Sequence, residues 1–168
     1  MLHTKADGGF TAGWDTSNRV NGTATKLSAG SWSHVAVVVD NNKMTVYLNG
    51  VSQGSVTSNS YSGVGGFGDL VFSSNGEKNS QDAVYDEIRI WNVARSAQDI
   101  SANRSLEFVG SVVPNGLVAY YKGDIEYSND GTACLYDCVG GYHARLHNNN
   151  FTSVSSGLQA FSAPNAND

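Results

Sequence analysis

Residues Gly30-Ser-Trp-Ser-His-Val-Ala-Val-Val-Val-Asp40 and Met44-Thr-Val-Tyr-Leu-Asn-Gly50 read as a β-hairpin. In the first segment Trp32, His34, Ala36 and Val38 alternate with Ser33, Val35, Val37 and Val39, the period of two that a strand imposes. Asp40 to Lys43 supplies a turn, and Asn49-Gly50 a second one, where glycine takes a positive φ without strain. Tyr85-Asp-Glu-Ile-Arg-Ile-Trp-Asn92 reads as a further strand running into Ala94-Arg-Ser-Ala-Gln-Asp-Ile100. There Ser96 is placed to cap a short helix over 96–103, with Asp99 at its third position as a weak form of the capping box.

Taken in order, Gly-x-Trp-x-His-Val-Ala, Tyr-Leu-Asn-Gly-Val, Asp-Glu-Ile-Arg-Ile-Trp-Asn, Ser-Ala-Gln-Asp-Ile and Gly116-Leu-Val-Ala-Tyr-Tyr121 resemble the laminin-G-like, concanavalin A-like lectin/glucanase superfamily over roughly residues 5–125. The resemblance implies an all-β fold, a jelly-roll sandwich of antiparallel sheets with one short helix. It also implies a secreted or cell-surface protein, although Met1-Leu-His-Thr-Lys5 has no basic region followed by an apolar run of the kind that opens a secretory signal. The superfamily pattern places one or more strands ahead of Leu2. Those strands are expected either to be missing, or to come from the tail beyond Leu117 or from a second chain, in which case an unpaired sheet edge would support a homodimer.

Composition agrees. With 168 residues the chain is read as one domain, 1–168, able to bury a sizeable core. Nineteen glycines, 15% charged residues and Ser, Asn and Thr between apolar runs describe many short strands joined by turns. Net charge is −5 and the ten Lys and Arg are scattered, which argues against a nucleic-acid partner; no apolar stretch is long enough to insert in a membrane. Strands are expected over 9–14, 19–24, 32–39, 44–48, 70–72, 84–91, 117–122 and 141–146. A Gly/Ser-rich connection is expected over 52–66, and residues 162–168 are expected to fray.

Catalysis finds little support in the residues. Glycoside hydrolysis needs two carboxyl groups across the scissile bond, about 5–5.5 or 6.5–9.5 Å apart. Asp86 and Glu87 are neighbours and would point to opposite faces of a strand, while Asp82 falls in the preceding loop. His34, Trp32 and Trp91 lie inside strand motifs and read as packing residues, with the imidazole hydrogen-bonded.

A binding reading fares better. Sugars are recognised by an aromatic ring under the C–H face and by amide or carboxylate partners for the hydroxyls. Trp14, Asp15 and Asn18 offer these within one turn, and Asn59, Tyr61 and Asn75 add to them from later loops, although turns are built from the same residue types. The loop Ser74-Asn-Gly-Glu-Lys-Asn-Ser-Gln-Asp82 is similar in placement to the calcium loop of pentraxin-like members, which makes Glu77, Gln81 and Asp82 candidate calcium ligands. The expected function is non-catalytic binding of a glycan or glycoprotein, against a structural or adhesion role without sugar binding. Cys134 and Cys138, spaced Cys-x3-Cys, leave open a local disulfide, half of a metal site with His143 and His147, or free thiols.

Overall fold

Two-residue turns shape the first part of the chain. In a computed structural model, β4 (Val35–Asp40), β5 (Lys43–Leu48) and β6 (Val51–Thr57) form an antiparallel meander. Asn41 and Asn42 close its first hairpin with φ of 47° and 64°, and Asn49 and Gly50 its second with 51° and 81°. Two consecutive positive φ values match the right-handed twist of the flanking strands. Asn49 adds a brace: its Oδ1 accepts the His34 backbone N–H at 2.8 Å, and its own N–H donates to the His34 carbonyl at 2.8 Å.

The structure describes residues 2–4, 8–13, 18–22, 26–58, 84–109, 112–127, 133–145 and 159–162. They fall into two compact units, Met1–Phe67 with Ala94–Ser105, and Gly68–Val93 with Leu106–Asp168.

In the first unit β1 (Leu2–Thr4), β2 (Phe10–Gly13) and β3 (Arg19–Gly22) make a second antiparallel sheet. Alternation on β5 sends Met44, Val46 and Leu48 inward, where they share a core with Phe10, Ala12 and Val20. Phe10 pairs in register with Gly22, and its ring lies over that glycine: a Cβ there would stand 2.6 Å from Phe10 Cε2. Helix α1 (Ala97–Asn103) buries Ile100 and carries both halves of the capping box. The Asp99 N–H donates to Ser96 Oγ at 3.1 Å, and the Ser96 N–H to Asp99 Oδ2 at 3.3 Å. The Ser96 hydroxyl, which also donates to it, holds the Asp99 carboxyl below its ordinary range.

In the second unit β7 (Ile88–Trp91), β9 (Leu117–Tyr127), β10 (Ala133–Asp137) and β11 (Ala144–Arg145) form one antiparallel sheet in the order β11-β10-β9-β7. β8 (Leu106–Val109) pairs in parallel with β12 (Gln159–Ser162). The described elements are therefore mostly antiparallel strands with a single short helix, the expected class.

Several expectations change. The strand expected over 84–91 is confined to Ile88–Trp91 because Glu87 has φ 54°, which interrupts the extended run. The connection expected from 52 is strand through Thr57, since β6 takes its register from the Asn49-Gly50 turn. β9 runs on to Tyr127, and the strand expected over 141–146 shrinks to Ala144–Arg145. Ser162 ends β12, and 163–168 lie outside the described residues, as does the strand expected over 70–72. Trp32 is 50% exposed, because it precedes β4 and takes no part in its alternation.

Cys134 and Cys138 are not joined in a disulfide. Cys134 sits on β10 and Cys138 just beyond it, where the chain bends away from the strand.

Burial separates the two large residues that open and close the hairpin. Leu48→Ala should lower stability by about 2–5 kcal/mol, whereas Trp32→Ala should cost about 1 kcal/mol as a half-exposed side chain. Chemical denaturation of both variants checks this; a larger loss at Trp32 would place that ring in the core.

Candidate functional site

Of the residues expected to bind sugar or calcium, the structure describes one. Asn18 stands half-buried before β3, where the β2–β3 hairpin opens. Trp14, Asp15, Asn59, Tyr61, Asn75, Glu77, Gln81 and Asp82 lie outside the described residues. Two other clusters, both in the second unit, carry the polar chemistry that is described.

The first surrounds Glu87. Register pairs Arg89 of β7 with Tyr120 of β9, so their side chains share a face. Glu87 Oε1 accepts the Tyr120 hydroxyl at 2.5 Å, and Oε2 is ion-paired with Arg89. Arg89 also donates to the Leu106 carbonyl of β8, and its guanidinium lies 4.2 Å above the Phe108 ring. The Tyr120 hydroxyl in turn accepts the Phe108 N–H at 3.1 Å, and Phe108 meets Tyr120 and Trp91 edge-on at 5.8 and 6.1 Å.

Burial pushes the Glu87 carboxyl above its ordinary range, against the lowering effect of Tyr120 and Arg89. Burial and the facing Glu87 carboxylate push the Tyr120 phenol well up. A raised carboxyl is what a general acid requires. Here, however, both carboxyl oxygens are bound by side chains that tie β7, β8 and β9 together, which is a structural use of the charge. A buried pair of this kind holds its place chiefly because breaking it would leave an uncompensated charge.

The second cluster surrounds Asp137, which ends β10 after a β-bulge and is 2% exposed. Its Oδ1 accepts the backbone N–H groups of Tyr120 at 2.8 Å and Val139 at 2.9 Å. Its Oδ2 accepts those of Gly140 at 3.0 Å and Tyr142 at 2.9 Å. Burial alone would raise this carboxyl; the four amide donors outweigh it and hold Asp137 below the ordinary range. The Asp137 N–H donates to His143 Nδ1 at 3.1 Å, so the neutral imidazole carries its proton on Nε2. The Tyr121 hydroxyl donates to the Tyr142 carbonyl at 2.6 Å, and the Cys138 N–H to the Tyr120 carbonyl at 2.8 Å. The loop from 138 to 143 is thereby fixed at nearly every residue.

Sequence reasoning missed both clusters. It weighed Glu87 only as half of a carboxylate pair, and in Cys134-Leu-Tyr-Asp-Cys138 it followed the cysteines. The available signal was Asp137 standing three residues before Gly140-Gly141, the pattern of a carboxylate that collects the N–H groups of a following turn.

Residues 1–101 match the family model Laminin_G_3, whose description is concanavalin A-like lectin/glucanases superfamily. The chain belongs to this superfamily. A crystal structure described as a "putative carbohydrate binding protein" from Bacteroides ovatus superposes with a TM-score of 0.60 at 23% identity, covering 86% of this chain and 44% of the other. An S-layer domain-containing protein from Clostridium thermocellum aligns at 20% identity with a TM-score of 0.36, over 58% of this chain and 51% of the other. The chain thus spans less than half of the Bacteroides protein and about half of the Clostridium one. No curated protein matches closely enough to count as a relative. Among the described residues, no helix is long and apolar enough to cross a membrane.

The Asp137 contacts set a pH dependence. A carboxyl whose folded pKa is depressed adds stability that is complete above its unfolded value and is lost as pH falls through the folded one. Wild-type stability should therefore drop below about pH 4. Asp137→Asn, which puts N–H donors where amides need an acceptor, should cost about 2–4 kcal/mol at neutral pH and flatten the acid limb. Denaturation midpoints from pH 2 to 7 test this; an unchanged acid limb in the variant would remove Asp137 as its source.

Proposed function

We propose that this chain is a carbohydrate-binding module without catalytic activity, part of a secreted or cell-surface protein. The observation that carries the reading is the use made of two carboxylates among the described residues. Glu87 is bound at both oxygens by Tyr120 and Arg89, and Asp137 by four backbone amides, so each is spent on the scaffold. Membership of a lectin/glucanase superfamily and the description of the Bacteroides ovatus neighbour support a sugar as ligand. A fold hosts many functions, and the ligand has to be argued from the site.

Trp14, Asp15, Asn18, Asn59, Tyr61 and Asn75 remain proposed sugar contacts, and Glu77, Gln81 and Asp82 proposed calcium ligands, on the chemistry of their side chains. A second reading, self-association through a sheet edge, is favoured by β4. Among the described residues that strand ends the order β4-β5-β6, and its Val37 and Val39 are 46% and 42% exposed.

A glycan array run with millimolar calcium and again with chelator tests the proposal. Retention of unaltered glycan is the expected result, and chelator-sensitive retention would bring in the calcium loop. Absence of binding under both conditions, or cleavage of a bound oligosaccharide, would overturn it. Light scattering over a range of concentrations addresses the second reading, for which a mass that rises with concentration is expected.

A further inference from the structure

We infer that the loop closing β10, residues 136–143, is a sugar-stacking platform, with Tyr142 and the Tyr136–His143 pair as its surfaces and a neutral pyranose chain as its ligand. The inference rests on the carbohydrate-binding reading and gives it a location that superfamily membership does not supply.

Tyr142 is 71% exposed, the highest value among the large apolar side chains of the described residues. Its backbone is held on both sides, by the Asp137 carboxylate at the N–H and by the Tyr121 hydroxyl at the carbonyl. Its ring lies over Gly140, where a Cβ would come 2.6 Å from Cδ2 and 2.8 Å from Cε2. One part of the ring therefore rests on bare backbone while most of it meets solvent. Gly141, at φ +73°, turns the chain to put it there.

Tyr136 points out of β10 where the next residue, Asp137, points in, and it is 40% exposed. His143 stacks on it with centroids 4.7 Å apart and 20° between the planes. Because His143 Nδ1 is occupied by the Asp137 N–H, Nε2–H is left as the donor of that ring. Exposed aromatic rings held in place by the backbone lose little entropy on binding, the property that makes tyrosine effective at recognition surfaces. The chemistry supplied is thus flat apolar faces, phenolic hydroxyls and one imidazole donor, which suits the C–H face and hydroxyls of a pyranose.

Charge selects among sugars. The only carboxylate of the loop is buried with both oxygens taken. The neighbouring Lys122 ammonium is held by Glu107 at 2.9 Å. The chain as a whole carries −5. Nothing in this set favours a sulfated or uronic chain, and the net charge opposes one.

Calorimetric titration of the full chain with neutral β-linked hexaoses of glucose, galactose and mannose, with neutral α-glucan, and with heparin tests the assignment. At least one neutral oligosaccharide is expected to bind and heparin to fail. Tyr142→Ala and Tyr136→Ala are each expected to weaken binding about tenfold, the scale of losing one aromatic anchor. Tyr142→Phe, which keeps the ring and loses only the hydroxyl, should weaken binding less than Tyr142→Ala, and the melting temperature of Tyr142→Ala should stay unchanged. Neutral binding untouched by either alanine variant would overturn the platform while leaving the carbohydrate reading intact. Preference for heparin would overturn the neutral ligand, and failure of every glycan would overturn both readings together.

Discussion

A carboxylate removed from water has to be surrounded by donors, and at Asp137 the donors are backbone amides. That requirement organises one end of the second unit. Two of the amides, Val139 and Gly140, belong to the turn that leaves β10; a third, Tyr142, belongs to the residues approaching β11; the fourth, Tyr120, is on the neighbouring strand β9. One side chain therefore sets the end of a strand, the path of the turn and the docking of both onto the sheet. The glycines follow from it. Gly140 lets the backbone pass under the Tyr142 ring, and Gly141 takes the left-handed φ that the turn needs. The exposure of Tyr142 is then a product of the buried charge beside it.

Glu87 meets the same requirement differently. Its partners are side chains, Tyr120 and Arg89, and its carboxyl is raised where that of Asp137 is lowered. The contrast is physical: four fixed amides stabilise the anion more than burial opposes it, whereas one phenol and one guanidinium do not. Tyr120 links the two clusters, giving its backbone N–H to Asp137 and its hydroxyl to Glu87.

The sequence made local structure legible where a single residue type has one conformational use. Asn41-Asn42 and Asn49-Gly50 announce their turns because Asn and Gly tolerate positive φ, and the meander follows from them. Ser96 and Asp99 announce a helix start, and the full capping box is present. Legibility failed where the outcome depends on distant partners. Trp32 sits in a strand-like motif, yet only the register of β4 shows that the strand begins three residues later. β8 and β10 carry no turn signal strong enough to bound them, and their identity comes from pairing with β12 and β9. The sugar-facing residues expected from composition were drawn from turns, where polar residues are abundant for local reasons. The aromatic loop escaped notice because tyrosine exposure is decided by the hydrogen bonds of its neighbours.

The two kinds of strand pairing also imply an order of assembly. β4, β5 and β6 are consecutive and joined by two-residue turns, so every contact in the meander closes a short stretch of chain. Such contacts form early, because little loop entropy is lost in making them. The parallel pair β8–β12 joins residues about fifty positions apart. It can form only after the whole of β9, β10 and β11 has been synthesised. On a ribosome, the first hairpins would be in place while the partner of β8 was still untranslated, leaving that edge open for the longest time.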